Sequence, residues 1–145
     1  MISTRIALGT ALFLLAFRPS CASDEAYAKS VVARTLLRAG KTSSGAPLDF
    51  PRDSGEVAAL EVTIPAGLST GWHTHRHSGF AYVLQGTLRV QLADSSSREY
   101  HAGEAFAEVV NTPHNGTALG SQDVKLAAFF LVDHGQPVSE KLPAK

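Results

Sequence analysis

The chain has one cysteine, Cys21, in 145 residues. No disulfide can close within it, so stability must come from a packed core. It also lacks an excess of charge of either sign, since 13 Lys and Arg stand against 13 Asp and Glu. No basic patch or stripe is present, which excludes nucleic acid as an expected partner. Long apolar runs are missing too. The longest uncharged one, Ile6 to Phe17, has twelve residues, short of the roughly 20 that a spanning helix needs. No membrane span is therefore expected, and there is no internal repeat or low-complexity tract.

That short run has a different reading. Arg5 precedes it, Ser20-Cys21-Ala22-Ser23 follows with small residues, and Asp24-Glu25 begins the polar chain. The order predicts a secretory signal peptide over residues 1–22, cleaved after Ala22, and a periplasmic or secreted protein. A lipid anchor on Cys21 is the alternative, and Arg18-Pro19-Ser20 is a poor lead-in for it. Removing Arg5 and Arg18 leaves 11 basic against 13 acidic residues. What remains, roughly 120 residues, suffices for one domain with a real core. We expect an N-terminal arm and first strand over 23–55, a barrel over 56–135 and a tail over 136–145.

Strand signals dominate the barrel. Leu60, Val62 and Ile64 alternate up to the break at Pro65-Ala66-Gly67. Phe80, Tyr82 and Leu84 alternate with Ala81 and Val83, and Gly86 marks a turn or bulge. Leu88, Val90 and Leu92 alternate with Thr87, Arg89 and Gln91. Residues 94–97 read as a hairpin turn, 98–101 as the returning strand and 102–103 as the next turn. The apolar runs 105–110 and 124–132 suit strands buried on both faces. Residues 26–38 suit a helix or a strand equally, and the Gly/Ser/Pro-rich stretch 41–54 suits a surface loop. Short strands parted by turns predict an all-β sandwich or jelly-roll barrel with a pocket between its sheets.

Five of the six histidines fall between positions 73 and 114. On an extended strand, His73 and His75 share a face, so one ion can be held by both. Neutral imidazole is the commonest ligand for iron, zinc, copper and nickel. His114 supplies a third ligand, and an open catalytic site uses about three. Glu108, six residues before His114, is the candidate fourth, or else a solvated or salt-bridged strand carboxylate. His77 continues the alternation and is expected at the pocket rim against a ligand. Phe80 and Tyr82, on one face, are candidate pocket walls, and Trp72 a core or wall residue. His101 and His134 sit in turn-like segments and should be exposed. Asn115-Gly116-Thr117 matches a glycosylation acceptor, but a glycan beside His114 would block the pocket.

These residues resemble a known family. Gly67, His73-Thr74-His75, position 79 and Gly86 have the spacing of the first cupin motif. Gly103, positions 109 and 111, His114 and position 118 have the spacing of the second. Together they cover 52 residues, and Tyr82-Val83-Leu84 and Gly103-Glu104-Ala105-Phe106 also look like small single-domain cupins. The resemblance implies a double-stranded β-helix, a divalent transition metal (Fe, Zn, Cu, Ni or Mn) on His73, His75 and His114, and a homodimer through N-terminal strands. The departures are Gly79 in place of the family's metal glutamate, Val109 for a proline, Asn111 for a glycine and Ala118 for an asparagine. Asn111 tolerates the left-handed backbone of a tight turn.

Two functions follow as expectations. One is a metal-dependent enzyme with dioxygenase- or isomerase-type chemistry on a small oxygenated molecule, Glu108 or His77 moving the proton. The other is a non-catalytic module that holds a small ligand or a metal in the periplasm. The fold hosts many activities and does not choose between them.

Overall fold

The computed structural model describes residues 33–52 and 54–143. The expected signal peptide, Cys21 and most of the segment read as helix or strand lie outside the described residues. Residues 33–39 run without regular structure. Nine strands follow: β1 (Gly55–Ile64), β2 (His73–Thr74), β3 (Gly79–Gln85), β4 (Thr87–Leu92), β5 (Ser97–His101), β6 (Ala105–Ala107), β7 (His114–Leu119), β8 (Val124–Asp133) and β9 (Glu140–Lys141). No helix occurs among the described residues. The strands form two antiparallel sheets, ordered β1-β8-β3-β6 and β5-β4-β7-β2-β9. This is the all-β jelly roll expected, built as two facing sheets rather than one closed barrel.

The alternation in β4 sets one face of the second sheet. Leu88, Val90 and Leu92 stand opposite Ala118, Gly116 and His114 of β7. Across the other edge Leu88 and Val90 face Tyr100 and Arg98 of β5. Leu88, Val83, Val124 and Phe130 join the two inner faces into one core. The β4–β5 hairpin closes where predicted, with Asp94 Oδ1 accepting from the Ser96 amide at 2.9 Å and its hydroxyl at 2.6 Å. At Gly86 the backbone is left-handed, and a Cβ there would lie 2.6 Å from the Asp123 carbonyl oxygen. Only glycine turns β3 into β4 at that point.

Two runs differ from expectation. β8 is not buried on both faces, because Val124, Leu126, Ala128, Phe130 and Val132 point inward while Lys125 and Phe129 are exposed. An antiparallel sheet in two layers packs one face and leaves the other to solvent. The run 105–110 is a strand only to Ala107. Beyond it the Glu108 amide donates to Gly79 and the Asn111 amide to His75. Here the chain crosses from one sheet to the other, so no ladder can continue. Asn111 makes the turn at φ 50°.

The arm is tied down by His77. Its Nδ1 lies 2.6 Å from Asp49 Oδ2 and its Nε2 3.0 Å from Asp133 Oδ2. Both partners are acceptors, so both ring nitrogens carry protons and the ring is an imidazolium. The bond to Asp133 raises its pKa most, with Asp49 adding to it and burial opposing. His77 is thus no rim residue awaiting a ligand. Both its nitrogens are spent on carboxylates, and the proton-transfer role expected of it has no free atom. The clasp's stabilisation is full below the ordinary imidazole value near 6.5 and fades as pH rises through the raised folded value. We expect His77→Gln to cost about 1 kcal/mol at pH 6, given the exposed carboxylates, and clearly less at pH 9. Urea denaturation at the two pH values checks this, and an equal cost at both would dismiss the charged clasp.

Candidate metal centre

Three short stretches of backbone deliver three imidazoles to one place. β2 carries His73, the residues after it carry His75, and β7 carries His114 directly opposite His73. Ring centroids are 4.3 Å apart for His73 and His114, and 5.0 Å for the other two pairs. Each ring has one nitrogen close to a backbone carbonyl. Nδ1 of His73 lies 2.8 Å from the Gly71 oxygen, Nδ1 of His75 2.7 Å from Val138, and Nδ1 of His114 2.8 Å from Thr112. A carbonyl only accepts, so Nδ1 carries the proton in all three. In a neutral ring Nε2 is then a bare lone pair.

Neutrality is built in. Burial lowers the pKa of His75 to about 4, against the opposing pull of the Val138 carbonyl. Burial does the same for His114, to about 4, with His73 and His75 adding to it. One ligand atom from each ring falls within 4.8 Å of the others. Two donors on one ion sit about 2.1 Å from it, hence at most about 4.2 Å apart. Small ring rotations close the difference.

Glu108, from the turn after β6, approaches one member of the cluster, His114. It is buried, and its Oε2 lies 3.8 Å from Nε2 of His114. Neither atom has a hydrogen-bond partner. Two buried acceptors facing each other are costly unless a cation or a proton lies between them. Burial raises the Glu108 pKa to about 7. Of the alternatives open for this residue, a solvated carboxylate is ruled out by its burial.

The reason for Gly79 is now visible. A Cβ at that position would lie 2.3 and 2.4 Å from carbons of the Phe130 ring. Phe130 in turn rests on His75, with centroids 4.5 Å apart. The aromatic ring occupies the volume into which a side chain at 79 would project, and the buried carboxyl nearest the three rings is that of Glu108, 3.8 Å from His114 Nε2.

Phe80 and Tyr82 are not pocket walls. In β3 the buried residues are Gly79, Ala81 and Val83, while Phe80 and Tyr82 alternate onto the outer, half-exposed face. Small residues line the inside here because Phe130 fills it from β8. Trp72 is half-buried and supplies its carbonyl to Leu142. His101 and His134 are exposed as expected. The expected tail does more than trail off, since β9 pairs with β2 and Val138 fixes His75. No sequence signal marked Val138 or Phe130. Gly71 and Thr112, two residues before His73 and His114, act only through their carbonyls.

Comparison with known proteins follows the same lines. The family model Cupin_2, described as the cupin domain, matches residues 60–132. No curated protein matches the chain. A cupin-like protein from Thermotoga maritima MSB8 is 19% identical, with TM-score 0.51, over 59% of this chain and 64% of its own. A chain from the crystal structures of the DMSP lyases RdDddP and RnDddQII is 20% identical, with TM-score 0.50, over 60% and 44%. KdgF from Halomonas sp. is 30% identical, with TM-score 0.43, over 50% and 66%. The chain thus spans between 44% and 66% of these relatives' lengths. The first two establish a likeness of fold.

Glu108 and Gly79 each generate a prediction. A carboxyl pKa raised from 4.5 to about 7 means the folded state holds the proton more tightly, so metal-free stability falls as pH rises between those values. The loss is about 3 kcal/mol. Glu108→Gln should abolish that slope and leave the metal-free protein more stable than wild type at pH 8, by denaturant titration. Gly79→Ala should cost about 1–3 kcal/mol by overpacking, and little further in a Phe130→Ala background. Additive costs in the double mutant would separate the two residues.

Proposed function

This chain belongs to the Cupin_2 family of cupin domains, and from that premise we propose that it is an exported metal-binding cupin acting on a small oxygenated molecule. One divalent transition metal is held by Nε2 of His73, His75 and His114, with Glu108 as the fourth donor. One observation carries the reading. Three Nδ1–H groups are spent on backbone carbonyls, which leaves Nε2 as the donor of each ring, and the three rings bring one ligand atom each within 4.8 Å of the others. Three imidazoles and one carboxylate suit zinc and iron(II), and also copper, nickel and manganese. Such an ion supplies Lewis acidity toward a substrate oxygen.

The chain's own residues do the rest. The three carbonyls hold the rings in one tautomer and near one orientation, so only small ring rotations are needed when an ion arrives. Phe130 shields His75 from water and seals the side from which a residue at 79 would enter. The Glu108 carboxylate offsets part of the charge brought into a buried site. The orphaned Nε2 of His114 and Oε2 of Glu108 favour this metal-centre reading over a bare jelly roll. Export rests on Arg5, the run Ile6 to Phe17 and the small residues at 20–23.

Elemental analysis of protein purified from the exported fraction tests the centre. We expect about one transition metal ion per chain in the wild type and little in a His73→Ala, His114→Ala double mutant. Equal metal content in both would sink the assignment. Glu108→Gln should weaken retention at least about tenfold against a chelator, and unchanged retention would remove Glu108 from the shell.

A further inference from the structure

A second polar feature lies beside the metal centre and shares no residue with it. A cavity of about 330 Å³ opens between the arm at Ser43 and Ser44 and the walls formed by Val90, Leu92, Arg98 and Tyr100. Its size is at the small end for ligand sites. Leu92 stands directly opposite His114 on the neighbouring strand, so their side chains share a face about 5 Å apart. The cavity wall is therefore the immediate neighbour of a metal-site histidine.

Its polar groups are few and specific. Tyr100 is buried with its ring stacked on Phe106 at 3.9 Å, and its hydroxyl lies beside the Ser43 side chain. Burial raises its pKa, so it stays a neutral donor. Arg98 lies with its guanidinium carbon 5.1 Å from the Tyr100 ring centroid. Arg76 and Arg89 have carboxylate partners within 4.0 Å, whereas Arg98 has none among the described residues. Asp94 stands at the rim with Oδ1 already held by Ser96.

We propose that this cavity takes a small organic monocarboxylate, its carboxylate on Arg98 and its oxygenated end toward His73, His75 and His114. An unpaired guanidinium matches a carboxylate bidentately, which a neutral amide cannot reproduce. The serines that line the cavity, Ser43, Ser44, Ser96 and Ser97, suit a hydroxylated ligand better than an apolar one. Asp94 at the rim works against a second negative charge, so the ligand carries one. The oxygenated end rests on the metal-centre reading, while the charge selection rests on Arg98 and Asp94.

Three probes with one carbon skeleton test it: D-gluconate, neutral D-gluconamide and doubly charged D-glucarate. Calorimetric titration of the full chain should show gluconate bound about tenfold more tightly than either of the others. Arg98→Gln, at an exposed position that should not disturb folding, is expected to erase the preference over gluconamide while metal content stays unchanged. His73→Ala should lose metal and keep the preference. No gluconate binding by the wild type, a preference that survives Arg98→Gln, or glucarate bound as tightly as gluconate would each overturn the proposal. An Arg98-dependent preference in a wild type that holds no metal would uphold the cavity and defeat the metal centre. A loaded metal centre without that preference would do the reverse.

Discussion

Three hydrogen bonds from imidazole Nδ1–H to backbone carbonyls govern this structure. Each carbonyl accepts and cannot donate, so each ring is locked into the tautomer that leaves Nε2 bare. Two of the carbonyls, at Gly71 and Thr112, are local to their histidines and come with the turns entering β2 and β7. The third, at Val138, arrives from the far end of the chain and depends on β9 pairing with β2. The final segment of the described chain is therefore a condition for the first strand of the site to present its ligand correctly. Burial then keeps His75 and His114 neutral, and a neutral imidazole is the form that binds a metal.

The second constraint is volume. Position 79 sits where the family places a carboxylate, but Phe130 from β8 occupies the space that any side chain there would enter. The same ring packs against His75, so an apolar wall stands beside the histidine in place of an acid. A carboxylate returns through Glu108, from the crossing between the two sheets, and faces His114 with an unpaired oxygen. Substituting Gly79 alone cannot restore the family arrangement, because the Phe130 ring fills the space that a side chain there would need. Desolvation is the reason the new acid matters, since a carboxyl with no donor beside it is held protonated up to about pH 7. The inner face thus carries a charge-sensitive acid, three imidazoles and, two strands from His114, an arginine at the mouth of a cavity.

Much of this was legible in the residues themselves. The alternation of Leu88, Val90 and Leu92 set β4 correctly, and Asp94 to Ser97 closed its hairpin. The spacing of His73, His75 and His114 picked out the three rings that meet. Asn111 in a left-handed turn was readable from its chemistry. Other features were not. Phe80 and Tyr82 looked like pocket walls because aromatic alternation tells that a strand has two faces, not which of them is inside. That choice follows from Phe130, which stands opposite Gly79 and leaves no room for a side chain there on the inner side. His77 continued the histidine alternation, yet Asp49 and Asp133, far away in sequence, took both its nitrogens.

The sequence alone determined the periodicities, the turns and the set of imidazoles, because these depend on neighbours within a few residues. Tertiary structure decided which lone pairs are free, which acid is buried and which arginine lacks a partner. Those properties belong to pairs of groups that the fold brings together: Val138 with His75 and Phe130 with Gly79 from distant parts of the chain, Glu108 with His114 across the crossing between the two sheets. A tautomer, a raised carboxyl pKa and an excluded side chain are all consequences of proximity and desolvation, and neither exists until the two sheets close on each other.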